Sequence, residues 1–424
     1  MLRPAALSLL AISLGLATAL GAGPIGCGSG DEVGGPERVL ALSLARFAAS
    51  EPGAGGAPQP LPAAVEFLVP EGGTWRAALL EDPESNVFHK AMAYPGTDGR
   101  SQLLTAAGSA ATLKLWQKES GGLEAATIWE QDFGGKFSRM RDVEVADLFG
   151  DGKAALAVAT HDQGVVAILR PDGQGGFEVE EIDREADTFV HEIEVGDLDA
   201  DGVLEVYATP SEPNRLDGTP QSGVVVRYVP ARREGRVVVA DLGDRHAKEI
   251  LVADVDGDGR DELYVAVEGK INEQTKALEK GVEILRYDAD TDPRAGVVIA
   301  AIRDRLNRFL TAGDFDGDGQ KELVAAAFHT GLWLLRPGEN PRARFRITSI
   351  DRDSGGFEHA AIASDLDSDG RDELYVASDN HNEVRRYVWD AEKRKLAREV
   401  IYERPGEGSV FTWNITLVPA ELAP

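Results

Sequence analysis

Four short segments place aspartates at alternate positions ahead of a glycine. They read Asp197-Leu-Asp199-Ala-Asp201-Gly202, Asp254-Val-Asp256-Gly-Asp258-Gly259, Asp314-Phe-Asp316-Gly-Asp318-Gly319 and Asp365-Leu-Asp367-Ser-Asp369-Gly370. Numbered from the first aspartate, positions 1, 3 and 5 are carboxylates, and position 9 adds Glu205, Glu262, Glu322 and Glu373. Carboxylates converging on one point repel one another, by about 1 kcal/mol per pair at ~4 Å even in water. A divalent cation reverses that sign. All-oxygen ligation, with a backbone carbonyl at position 7 (Val203, Arg260, Gln320, Arg371) as a further donor, favours Ca2+ over zinc or copper. The alternative is a solvated acidic turn without an ion. Glycine at position 6 calls for a sharp turn with positive φ.

Two weaker copies precede these. Asp147-Leu-Phe-Gly-Asp151-Gly152 has Phe149 and Ala155 where two ligands would stand, and Tyr94-Pro-Gly-Thr-Asp98-Gly99 is a vestige. Both are expected to be empty, leaving about four ion sites. An EF-hand needs a glutamate at position 12 and flanking helices. Position 12 here is Ala208, Val265, Ala325 and Val376, inside β-rich runs.

The loops start at 94, 147, 197, 254, 314 and 365, a period of about 50–60 residues. Each follows one strand-like run and precedes three more. Blade-like units of four strands result, as in Ile250–Ala253, Leu263–Ala266, Val282–Tyr287 and Gly296–Ala301. Six full units run from Val87 to Tyr402. Phe411–Val418 resembles only a first strand, and Val39–Phe47, Val65–Val69 and Thr74–Leu80 match strands two to four. The expected fold is therefore all-β, a seven-bladed β-propeller of four-stranded blades spanning 39–419, closed by N-terminal strands pairing with the C-terminal strand. Val39–Phe47 alone could also be read as a short helix.

The loops resemble FG-GAP or VCBS repeats, as in the integrin α-chain propeller and many bacterial surface proteins. The resemblance covers roughly residues 39–418. It implies that the loops join strands one and two on one face of the disc, that calcium there is structural, and that binding uses the opposite face.

Six residues before each loop stands a basic side chain: Arg141, His191, Lys248, Arg308 and His359, with His89 one residue out of register. Six residues of strand span about 20 Å, the thickness of a small blade. A basic ring is thus expected around the channel mouth on the face opposite the loops, as a hypothetical site for an anionic ligand. The plainer reading is that these groups neutralise Glu192, Glu249 and Glu358.

The chain of 424 residues has 44 Lys+Arg against 72 Asp+Glu, a net charge of −28. Such a surface repels phosphates and speaks against a nucleic-acid partner. No nucleophile elbow, phosphate loop or zinc-protease helix occurs in the sequence. The expected role is a non-catalytic recognition or adhesion module for a protein or glycan. The rival is a propeller enzyme acting on acidic sugars, since related calcium-bearing propellers include lyases and dehydratases. His191, Arg308 and His359 would then be the candidates.

Residues 1–26 read as a secretory signal, with Arg3 before the apolar run Ala5–Leu20. The single cysteine, Cys27, follows Pro24-Ile25-Gly26, which resembles a bacterial lipobox although Pro24 departs from it. Lipidation at Cys27, a flexible tether over 27–38 and a tail over 420–424 are expected. The location would be the cell envelope of a Gram-negative-type bacterium, anchored to the outer membrane through the lipid alone, or otherwise secreted. If the acidic loops hold calcium, the mature protein melts at a higher temperature in millimolar calcium than in chelator. Superimposable melting curves would contradict the assignment.

Overall fold

The computed structural model describes residues 37–49, 58–96, 99–108, 110–135, 138–210, 212, 214–272, 274–406 and 408–424. Cys27, the signal segment, most of the tether and Asp98 lie outside the described residues. Seven four-stranded antiparallel sheets follow one another along the chain. Blade 1 runs Val87–Pro95, Ser101–Gly108, Ala111–Glu119 and Gly122–Gln131. Blades 2 to 6 begin with the innermost strands Met140–Ala146, Val190–Gly196, Ala247–Ala253, Asn307–Gly313 and Ala361–Ser364.

Blade 7 is composite. Its innermost strand is the C-terminal Gly408–Pro419, and Arg38–Ala48, Ala63–Glu71 and Thr74–Asp82 complete it. Arg38–Ala48 is a strand, not a helix, and pairs with the C-terminal strand from Arg38↔Pro419 to Ala48↔Gly408. The expected closure is therefore observed. A buried clasp reinforces it: Arg404 of blade 6 pairs with Glu66 (2.9 Å) and Asp379 (2.6 Å), and Asp379 accepts from the Thr412 N–H (2.6 Å).

Among the described residues, buried apolar side chains form seven clusters, one at each junction between neighbouring blades. This explains the second strands. Ala155–Thr160, Glu205–Pro210, Glu262–Val267, Glu322–Ala327 and Glu373–Ser378 are buried at every position, because both faces of each are covered. Such strands read as continuous apolar runs rather than alternating ones. One small element went unseen in the sequence, the hairpin of Lys270–Ile271 with Leu278–Lys280 in the insertion of blade 4.

Neighbouring blades pack tightly where the acidic loops begin. A Cβ on Gly196 would stand 2.2 Å from Val252 Cγ1 and 2.9 Å from Asp261 Oδ2 of the next blade. Gly196→Ala should therefore lower stability by about 1–3 kcal/mol through overpacking. Val252→Ala in the same chain should recover part of that loss in denaturant unfolding. An unchanged midpoint for the single variant would refute the close fit.

Candidate functional site

Each acidic loop joins the first strand of a blade to its second. Its shape comes from hydrogen bonds to its own backbone. Asp197 accepts from the Asp201 N–H (3.1 Å) and Gly202 N–H (2.8 Å), and Asp254, Asp314 and Asp365 do the same at position 6 (3.0, 2.9 and 2.9 Å). The amides of Val203, Arg260, Gln320 and Arg371 donate to the position-5 carboxylates of Asp201, Asp258, Asp318 and Asp369 at 2.9–3.0 Å. Glycine at position 6 has φ between +77° and +89° in all six copies. Position 4 is also left-handed in the five copies where it is described, even where it is Ala200 (+54°) or Ser368 (+60°). That conformation is costly for residues with a Cβ.

The position-9 glutamates close the loops. Glu205, Glu262, Glu322 and Glu373 each accept from the position-2 amide at 3.2 Å. In three blades a tyrosine two residues on adds a bond: Tyr264 to Glu262 (3.0 Å), Tyr375 to Glu373 (2.9 Å) and Tyr207 to Glu205. Burial pushes the carboxyls of Glu262, Glu322 and Glu373 up to about 7.

Ligand atoms converge within 4.8 Å of one another in four groups: Asp197/Asp199/Asp201, Asp254/Asp256/Asp258/Glu262, Asp314/Asp316/Asp318 and Asp365/Asp367/Glu373. The donors are all carboxylate oxygens, and the buried Oδ1 of Asp316 has no hydrogen-bond partner. This hard-oxygen set fits Ca2+. Glu205, Glu322 and Asp369 stand outside the groups. They pair instead with Arg227 (2.7 Å), Arg336 (3.0 Å) and Arg371 (2.8 Å).

Those pairs disclose residues the sequence reading missed. An arginine on the third strand reaches the loop in five blades: Arg170 to Asp151 (2.7 Å), Arg227 to Glu205, Arg286 to Asp256 (2.8 Å) and Glu262 (3.1 Å), Arg336 to Asp316 (2.8 Å), and Arg386 to Asp367 (3.6 Å). Insertions between strands two and three vary in length, so no fixed spacing from the loop marks these arginines. A search for one arginine per third-strand run would have found them.

The far end of the channel is built by β-bulges. The pairing of first and second strands skips His89, Arg141, His191, Lys248 and Arg308, and in blade 7 it skips Trp413. A bulge re-aims its extra residue, so that residue and the next one both face the channel. Arg141, His191, Lys248 and Arg308 thus come together with His89, Trp413, Asp142, Glu192, Glu249 and Glu358. His359 does not join them. Its backbone is left-handed (φ +57°), and its ring is buried between blades 5 and 6, against Ala327 O (3.0 Å) and Ser354 Oγ (2.7 Å).

Almost every ring member clasps a neighbouring blade. His89 donates to Met140 O (2.8 Å), Arg141 to His191 Nδ1 (3.0 Å), Lys248 pairs with Glu212 (2.9 Å) and Arg308 with Glu358. Asp142 accepts from the Ile193 N–H (3.0 Å) and Glu249 from the Leu310 N–H (2.6 Å). The free volume among these groups is about 10 Å³, room for roughly one water. Burial, reinforced by Arg141, holds His89 and His191 well below the usual histidine range, so both are neutral near pH 7. Burial alone leads for His359, which falls to about 4.

Residues 147–208 and 254–325 match the model of the FG-GAP-like repeat, and no curated protein matches the chain. Repeats of that type on seven four-stranded blades make this an FG-GAP repeat β-propeller protein.

Burial pushes the Glu249 carboxyl up to about 8, whereas an unfolded glutamate ionises near 4.3. Between those values the folded state holds the extra proton, so stability falls as pH rises through that window. Glu249→Gln keeps an acceptor for Leu310 and removes the penalty. The variant should lie close to the parent near pH 5 and exceed it at pH 8 by up to about 4 kcal/mol, at roughly 1.4 kcal/mol per pH unit. Denaturant unfolding at fixed calcium checks this, and lower stability of the variant at pH 8 would contradict it.

Proposed function

We propose that the chain is an exported, calcium-braced recognition module, anchored through a lipid on Cys27, that binds an anionic glycan or protein segment on the face opposite the acidic loops. The supporting observation is a groove of about 500 Å³ on that face, lined by Phe328, His329, Phe357, Asn380, Asn382 and Phe411. Phe357 is 47% exposed, an unusual state for a large apolar ring. Arg308 lies over Phe357 (5.5 Å) and the exposed Arg305 over Phe328 (4.7 Å). An aromatic floor edged by guanidinium groups suits a ligand with a flat apolar face and a carboxylate. The basic ring nearby is largely paired with carboxylates and has little free space, so the ligand is placed on the rim rather than in the bore. The acidic loops, on this reading, hold Ca2+ through Asp197, Asp254, Asp314, Asp365 and their partners, and the ion cancels the repulsion among those carboxylates.

The enzymatic alternative has less support. His191, Arg308 and His359 are buried and partnered. A Ser378–His381–Asp353 series occurs (2.9 and 3.3 Å), but Ser378 is wholly buried. An exposed hydroxyl is needed for attack on a substrate.

The test uses mature protein in calcium against an array of uronate and neutral oligosaccharides and acidic peptides. An acidic ligand should bind, and Phe357→Ala should weaken it at least about tenfold with melting unchanged, the loss of one aromatic contact. Full binding by the variant would overturn the location. Conversion of the oligosaccharides to new masses would favour the enzyme.

A further inference from the structure

The third-strand arginines bear on how the loops behave when calcium is scarce. Arg286 is 2% exposed, and its guanidinium touches Asp256 (2.8 Å), Glu262 (3.1 Å) and Asp288 (2.7 Å). It therefore bridges positions 3 and 9 of one loop. Arg336 makes the same bridge in blade 5, to Asp316 (2.8 Å) and Glu322 (3.0 Å), with its guanidinium 4.7 Å from the Trp389 ring of blade 6. Blade 2 supplies an internal comparison. Its loop has lost two ligands, yet Arg170 still pairs with Asp151 (2.7 Å) and stacks on Phe149 (4.4 Å), the residue at position 3. There the guanidinium is the loop's cation and an aromatic ring has taken a ligand's place.

We propose that the third-strand arginine is a resident cation of each full acidic loop, in blades 3 to 6, which holds the carboxylates together before a metal ion arrives and competes with that ion once it binds. The inference rests on the calcium reading of the loops. Its physical basis is charge. A loop gathers up to four carboxylates, and one fixed guanidinium offsets one of their charges without an ordering cost at the time of binding. The same positive charge repels an incoming cation. Arginine thus strengthens the metal-free loop more than the loaded one. The propeller keeps its form at low calcium, and calcium adds a smaller increment than the carboxylate count alone implies.

The experiment measures melting of the mature chain in chelator and over a calcium titration for the parent, Arg286→Met, Arg336→Met, Arg286→Lys and Arg170→Met. The two blade-4 and blade-5 methionine variants should lose most in chelator and recover in saturating calcium. Their calcium-induced rise in melting temperature should exceed the parent's by about 2 °C or more. Arg286→Lys keeps a charge and should fall between. Arg170→Met should show the parent's rise, because its loop lacks the ligands for an ion. Arg336→Met, at a site 14% exposed, serves if Arg286→Met does not fold. An equal or smaller calcium-induced rise in the methionine variants would overturn the proposal while leaving calcium binding intact. A parent with no rise, beside methionine variants that do rise, would remove the calcium reading of the parent and keep the resident cation. No rise in any chain would remove both.

Discussion

Repulsion among carboxylates is the constraint around which one face of this propeller is organised. In each full loop, three or four acidic groups bring oxygens within 4.8 Å of one another. The chain offers three kinds of relief. Backbone amides at positions 2, 5, 6 and 7 point at the carboxylates and supply fixed partial charges. A guanidinium from the third strand adds a full charge from inside the blade. A calcium ion would supply the remainder. The loops also tie blades together: the Asp197 amide donates to Asp261 of the next blade (2.9 Å), and the Asp314 amide to Asp372 (2.8 Å). Relief of charge within a loop is therefore felt across the ring.

The opposite end of the channel solves a different problem with a different device. In every blade but the sixth, a bulge turns two consecutive side chains of the inner strand inward, and several of these bond across to the neighbouring blade. The cost is a set of buried ionisable groups. Lys90 pairs with Asp142 (3.0 Å) and Glu144, while burial drives Glu192 and Glu194 well above the usual carboxylate range. The bore is filled and tied across the blade junctions, which gives rigidity to the ring, although His89 Nε2, Arg141 Nε, Arg308 Nε and Trp413 Nε1 are buried there without a hydrogen-bond partner. It leaves binding to the rim, where Phe357 and its neighbours stand open.

Most of the fold was legible because its signals are periodic. The loop, its glycine and the four apolar runs recur in six blades, and the leftover strands at the two ends, Phe411–Val418 with Val39–Phe47, Val65–Val69 and Thr74–Leu80, added up to one more blade. The recurrence of Arg141, His191, Lys248 and Arg308 was also legible, but not its cause. A bulge is a register event, invisible until the partner strand is known. His359 kept the spacing and left the ring, because its left-handed backbone turns it toward Ser354. The arginines escaped notice because insertions of unequal length separate them from their loops. Trp413 and Phe357 carried no periodic signal at all.

The most direct test counts ions. Native mass spectrometry of the mature chain in calcium, after exchange into volatile buffer, reads the number retained per polypeptide. The account predicts four, one for each group around Asp197, Asp254, Asp314 and Asp365, with the loops at Asp147 and Asp98 contributing none. Replacing Asp254 and Asp256 with Asn should reduce the count to three. A chain that retains no calcium, or a count unaffected by those substitutions, would contradict the central claim.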